Sequence, residues 1–188
     1  MIDYILKGGI SQHLDFFTPE KFMSVKRDLE NLDYKESHQP FTNTYGNRMQ
    51  AFPCYESKYI KEDKYIISRL ENILQTKVTQ FKTLARKIVL DEIKQSAQEF
   101  GKYGLIHRDT SLQDKEPLIA GMMYFDQAYN GGTAFFHNQM ERVPDIYVSA
   151  VPNRLVLYSG GIYHAPCFDY TFKERLTLSF FLRTEKND

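Results

Sequence analysis

The chain has 188 residues and a mass of 22.1 kDa, enough for one domain with a sizeable core, and its 42% apolar and 26% charged residues are ordinary for a soluble globular protein. Twenty-four Lys and Arg balance twenty-four Asp and Glu, so the broad positive field of a nucleic-acid or anionic-membrane binder is missing. No apolar run approaches the ~20 residues that span a bilayer, and Cys54 and Cys167 are too few for a disulfide scaffold or a four-cysteine zinc site. Residues 1–7 carry neither a basic leader nor a small-residue cleavage site. The expectation is a single cytoplasmic domain over residues 1–188.

In chain order, Thr18-Pro19-Glu20 reads as a helix start: Thr caps, Pro suits the first helical position and Glu complements the dipole. Phe22, Val25, Leu29 and Leu32 follow at helical spacing and form one apolar stripe. A second helix is predicted over residues 62–76, with Ile66, Leu70, Ile73 and Leu74 on its buried side. Between them, residues 33–59 are polar, contain Pro40 and Pro53, and read as loop with a short strand near 45–49. From about residue 80 the pattern turns to short strands, predicted at 81–92, 103–107, 118–125, 133–137, 146–150, 154–158 and 175–183. Residues 81–92 also fit a helix, and Ile88-Val89-Leu90 tips them to strand. Asn130-Gly131-Gly132 is expected to supply the positive φ angles of a tight hairpin, and Ser159-Gly160-Gly161 a second turn. The fold class is therefore mainly β with N-terminal helices, a sandwich or barrel with the helices packed outside. Residues 1–80 form a helical and loop support layer in this reading, and residues 81–184 the β core.

His107-Arg108-Asp109 places a carboxylate two residues after a histidine. On a strand, residues i and i+2 share a face, so an imidazole and a carboxylate can meet one cation while Arg108 points away. A solvated strand end carries the same triplet. His164, after the 154–158 strand and the Gly160-Gly161 turn, is the best third ligand; His137 ends a predicted strand, but nothing downstream completes a site around it. Two histidines and a carboxylate make the facial triad of non-haem Fe(II) oxygenases, and zinc accepts a similar set, so the metal stays open at this point. In the last strand Leu176, Leu178 and Phe180 alternate with Arg175, Thr177 and Ser179. A strand with one wet face alternates in the same way. An inward-facing Arg beside a hydroxyl can instead clamp a small carboxylate.

In the order His107-x-Asp109, His164, Arg175-x-Thr177, the chain resembles the 2-oxoglutarate/Fe(II)-dependent dioxygenase superfamily, in its prolyl 4-hydroxylase-like branch, over roughly residues 100–183. The resemblance implies a double-stranded β-helix (jelly-roll) core with supporting helices. It implies Fe(II) on His107, Asp109 and His164, with Arg175 taking the distal carboxylate of 2-oxoglutarate and Thr177 assisting. O2 would be consumed, a peptidyl or small-molecule C–H bond hydroxylated, and succinate and CO2 released. Met122-Met123-Tyr124-Phe125-Asp126 is similar to the family strand whose tyrosine also contacts that carboxylate, which makes Tyr124 the candidate; a core tyrosine fits there as well. The Gly131-Gly132 segment is similar to the family's hairpin before a strand beside the site, with Thr133 where an acidic or aliphatic residue is frequent. A carboxylate ligand at Asp109 leaves no position for halide and favours hydroxylation over halogenation. The first hundred residues take no part in the resemblance.

Two alternatives stand beside this reading. One is a non-catalytic metal- or ligand-binding jelly-roll module. The other is a nucleic-acid base demethylase, with Lys82, Arg86, Lys87 and Lys94 along a backbone groove, although Asp91 and Glu92 interrupt that stretch and Arg183 does not fit the spacing of that branch's second arginine. The expected partner is a small-molecule or peptidyl substrate, with neither membrane nor nucleic acid. Loops 34–59 and 139–145 would contact it, and Arg48 could meet a substrate carboxylate or serve as an ordinary surface arginine.

Overall fold

Thr18 caps its helix as the sequence predicts, its side chain accepting a hydrogen bond from Lys21 N at 3.3 Å in a computed structural model that describes residues 1–37, 41–42, 48–49, 54–90, 105–110, 116–141 and 143–185. Lys94, Asp91, Glu92, Pro40, Pro53 and the start of the predicted 103–107 strand lie outside these residues. Among the described residues three helices are seen: α1 (Ile2–Leu6), α2 (Pro19–Glu30) and α3 (Asp63–Leu74). The first strands are β1 (Ser11–His13), β2 (Lys35–Glu36), β3 (Phe41–Thr42), β4 (Arg48–Met49), β5 (Cys54–Lys58) and β6 (Val78–Val89). Then come β7 (Ile119–Tyr124), β8 (Gly132–Phe136), β9 (Ile146–Ser149), β10 (Leu155–Ser159), β11 (Tyr163–Cys167) and β12 (Glu174–Thr184).

Among the described residues the strands form a seven-stranded sheet in the order β1-β10-β7-β12-β6-β5-β2, a three-stranded sheet β11-β8-β9, and the pair β3-β4. All pairings between these strands are antiparallel. The fold is mainly β with N-terminal helices, a jelly-roll sandwich with one of its sheets covered by helices, as expected. One difference concerns the first eighty residues: they supply helices but also β1, β2 and β5 to the large sheet, so support layer and sheet do not separate at residue 80. These strands are two to five residues long and too short to show an alternation of their own.

The large sheet is buried on both faces. Its outer face contributes Met123, Leu155, Leu157, Leu176, Leu178 and Phe180 to a core completed by Phe22, Val25 and Leu29 of α2 and Ile66, Leu70 and Leu74 of α3. Phe22 stacks on Phe125 with centroids 5.2 Å apart, which seats α2 on the sheet. Each such side chain removed from water contributes about 1.5–3 kcal/mol. The inner face presents Ile88, Ala120, Met122, Tyr124, Val156 and Tyr158 toward Phe135 and Val148 of the small sheet. The polar face of β12 is therefore interior, and Arg175, Thr177 and Ser179 are each 2% exposed. A half-wet strand does not describe it.

The two glycine signals act differently from expectation. β7 and β8 belong to different sheets, so Asn130-Gly131-Gly132 closes no tight hairpin between them. The left-handed residue of this connection is Ala128, at φ 59°, and neither glycine has positive φ. Gly132 is needed for close approach instead, since a Cβ there would stand 2.2 Å from Val148 O. The Gly160-Gly161 turn forms, also without left-handed φ. No helix among the described residues is long and apolar enough to cross a membrane.

Candidate metal centre

His164 sits on β11, a strand the sequence did not announce because it is short and holds Pro166. As an edge strand of the small sheet it tolerates a residue without an N–H. His107 pairs with it directly: His107 N donates to His164 O at 3.0 Å and His164 N to His107 O at 2.9 Å. Two residues on, Asp109 N donates to Gly160 O at 2.9 Å, so the turn before β11 places the carboxylate beside both rings. Metal-ligating atoms of His107, Asp109 and His164 all lie within 4.8 Å of one another. His164 Nε2 is 3.4 Å from Asp109 Oδ2, and His107 Nε2 is 3.8 Å from Oδ1.

Hydrogen bonding orients the rings. Nδ1 of His107 faces Leu105 O at 2.9 Å and Nδ1 of His164 faces Ile162 O at 3.0 Å. A carbonyl can only accept, so each Nδ1 carries the proton and each Nε2 turns a lone pair to the centre. Burial, reinforced by the neighbouring His164 ring, lowers the His107 pKa to about 4, which keeps the imidazole neutral at pH 7. Two imidazoles and one carboxylate with free lone pairs suit a divalent first-row metal. Arg108 lies over Tyr163, its guanidinium carbon 4.8 Å from the ring centroid, and borders the cavity beside His107.

A cavity of about 300 Å³ opens at His107 and His164 and is lined deeper in by Met122, Arg175 and Thr177. Arg175 has no carboxylate partner among the described residues. One terminal nitrogen donates to Met122 Sδ at 3.2 Å and to Gly132 O at 3.4 Å, and its buried Nε has no partner. A buried guanidinium so poorly satisfied is costly unless an anion joins it. Tyr124 does not line the cavity. Its ring centroid lies 5.6 Å from the Arg175 guanidinium carbon and its hydroxyl bonds Thr133 Oγ1 at 2.7 Å, so it backs Arg175 from behind. His137 stays apart, its backbone N bonded to Glu141 on the surface.

Sequence reasoning passed over Tyr158, whose hydroxyl lies 3.2 Å from His164 Nε2 and 3.4 Å from Asp109 Oδ2. Burial and then the Asp109 charge hold this phenol well above its usual pKa, so it remains a proton donor to the pair. Arg86 was read as part of a basic groove. It faces the cavity and is tied to Glu56, while Lys87, on the opposite face of β6, lies 3.8 Å from Glu174. The described part of that basic stretch therefore forms no single groove. The inward alternation of β6 is the signal that could have found Arg86; Tyr158 needed the sheet order.

No family model matches the chain, and no curated protein matches it. Solved structures do. A Pseudomonas putida prolyl-4-hydroxylase is 15% identical with a TM-score of 0.65, over 98% of this chain and 97% of that one. A Trichoplax adhaerens prolyl hydroxylase, in complex with a hypoxia inducible factor peptide fragment, is 11% identical with a TM-score of 0.66, over 96% and 86%. HygX from Streptomyces hygroscopicus, with nickel, 2-oxoglutarate and hygromycin B bound, is 11% identical with a TM-score of 0.59, over 95% and 84%. With its strand order, its helices on one sheet and its His-x-Asp and His side chains at the mouth of the sandwich, this chain has the fold of the 2-oxoglutarate/Fe(II)-dependent oxygenases, in the form seen in the prolyl 4-hydroxylase-like branch.

Proposed function

We propose that the protein is a 2-oxoglutarate- and Fe(II)-dependent dioxygenase that hydroxylates a peptidyl or small-molecule C–H bond and releases succinate and CO2. One observation carries the reading: His107 and His164, whose ligand atoms converge with that of Asp109, line the same cavity as a buried arginine that has no carboxylate partner among the described residues. His107, Asp109 and His164 hold the iron, both rings pre-set by their Nδ1–carbonyl bonds. Bound there, iron supplies the O2-dependent oxidation that the protein's own groups cannot perform. Arg175 draws in the distal carboxylate of the 2-oxo acid, Thr177 offers a hydroxyl beside it, and Tyr124 braces the guanidinium. Apolar walls from Ile88, Leu105 and Met122 keep bulk water from the reacting centre. Structural neighbours bind a peptide fragment in one case and hygromycin B in another, which supports a peptidyl or small-molecule substrate alike. Two buried cysteines, neither in a disulfide, accord with a cytoplasmic setting.

Succinate formation from 2-oxoglutarate with Fe(II) under air tests the assignment. Asp109→Ala is expected to lose at least 100-fold in succinate rate, because it removes a ligand and leaves two neutral imidazoles. Wild-type turnover in that variant would refute the site, and tight Fe(II) binding with no succinate from the wild type would favour the non-catalytic module.

A further inference from the structure

We infer that Arg86 binds the metal-proximal carboxylate of the 2-oxo acid, at the end of the cavity away from Arg175. The inference rests on the oxygenase reading above and extends it to a residue outside the triad and the Arg175 clamp. It follows from sheet register. Arg86 on β6 lies opposite Thr177 on β12 and opposite Glu56 on β5, so all three share the inner face. Its guanidinium runs along that face: Nη1 donates to Ser179 Oγ at 3.4 Å, and the guanidinium carbon is 5.7 Å from the Phe181 ring centroid. Phe181 lies beside Ala120, and Ala120 beside Tyr158, the residue in contact with Asp109 and His164.

The two arginines are thus graded in depth. Arg175 reaches Met122, which pairs with Ser179, from the far side. Arg86 reaches the Ser179 and Phe181 positions, level with the metal donors, and two residues along a strand advance about 6.8 Å. Both line the same cavity. Glu56 engages only Nε of Arg86, at 2.7 Å, which fixes the plane of the fork. Nη2 then has no acceptor among the described residues. A 2-oxo acid brings a second carboxylate next to that of Asp109, and Arg86 is the cation placed to offset the repulsion.

A tie that merely joins β5 to β6 would not distinguish one ligand from another, and the test uses that. Protein loaded with Mn(II), a divalent ion that oxygen and imidazole donors accept, is titrated calorimetrically in the absence of O2 with 2-oxoglutarate and with 2-oxopentanoate, which lacks the distal carboxylate. Arg175→Gln is expected to weaken 2-oxoglutarate alone. Arg86→Gln is expected to weaken both acids by the same factor, about tenfold, and Arg86→Lys by a smaller factor for both. Arg86→Lys keeps a cation for Glu56, so it decides the matter if the glutamine variant does not fold. Arg86 variants that bind 2-oxopentanoate as tightly as wild type would overturn the role of Arg86 and leave the oxygenase reading standing. A wild type that binds neither acid would overturn both.

Discussion

Tyr158 shows how much of a candidate metal site depends on groups that are not among its proposed ligands. One phenolic proton is shared between Asp109 Oδ2 and His164 Nε2, at 3.4 and 3.2 Å. With a metal on His164 Nε2 that proton has only the carboxylate left, where it fixes which oxygen turns to the metal. Tyr158→Phe removes the donor and keeps the ring, which packs edge-on to Phe135 at 5.1 Å. The expected outcome is a metal affinity lower by about tenfold with little change in thermal stability, read by titrating the metal-free protein with Co(II). An unchanged affinity would mean that the phenol only fills space. At this scale His107 and Asp109 were legible, because two residues apart on an extended chain is a local relation. Tyr158 was not, because its role depends on β10 lying within reach of β11 and of the Asp109 segment.

At the scale of elements, the start of α2 was read to the residue, set by Thr18 and Pro19, and its buried stripe holds at Phe22, Val25 and Leu29, while Leu32, expected in the same stripe, lies past the helix end at Asn31. Such signals act through neighbours along the chain. The glycine pair at the start of β8 shows the opposite case. Its residue types were read correctly as punctuation, yet the reasons for them are tertiary: Gly132 lies against β9 across the small sheet, and Gly131 against the Tyr129 ring and the Cys167 carbonyl of β11. Gly132→Ala drives a methyl against Val148 O, a backbone atom that cannot swing aside, and shifts the Gly132 carbonyl that receives Arg175. The expected cost is about 1–3 kcal/mol in urea unfolding, together with weaker 2-oxoglutarate binding. Full stability in that variant would show that β8 and β9 can separate locally without loss.

For the whole molecule, the site's neutral histidine has a global consequence. His107 titrates near 6.5 when unfolded and at about 4 when folded. Between those values the unfolded chain binds a proton that the folded chain refuses, so folding stability is complete above pH 6.5 and declines as the pH falls toward 4. The metal-free protein is expected to lose stability to urea between pH 7 and pH 5, and His107→Gln to lose less over the same interval. Equal slopes in the two proteins would place the acid sensitivity elsewhere. The large sheet ties this site to the core: the strand that carries Arg175 and Thr177 inward buries Leu176, Leu178 and Phe180 under the helices on its other face.

By itself the sequence determined what is periodic or local: α2 and α3, most strands after residue 80, the mainly β class, the His107-x-Asp109 pair and the alternation that turns Arg175 inward. Only the tertiary structure decided which strands are neighbours. That order brings His164 onto His107, sets Tyr158 between two candidate ligands, moves Arg86 from a supposed basic groove into the cavity and draws β1 and β5 into the large sheet. The physical reason is range. Caps, turns and alternation are energies between residues close in the chain, whereas sheet order and register come from burying two faces of one sheet at once, a condition that every strand satisfies together or not at all.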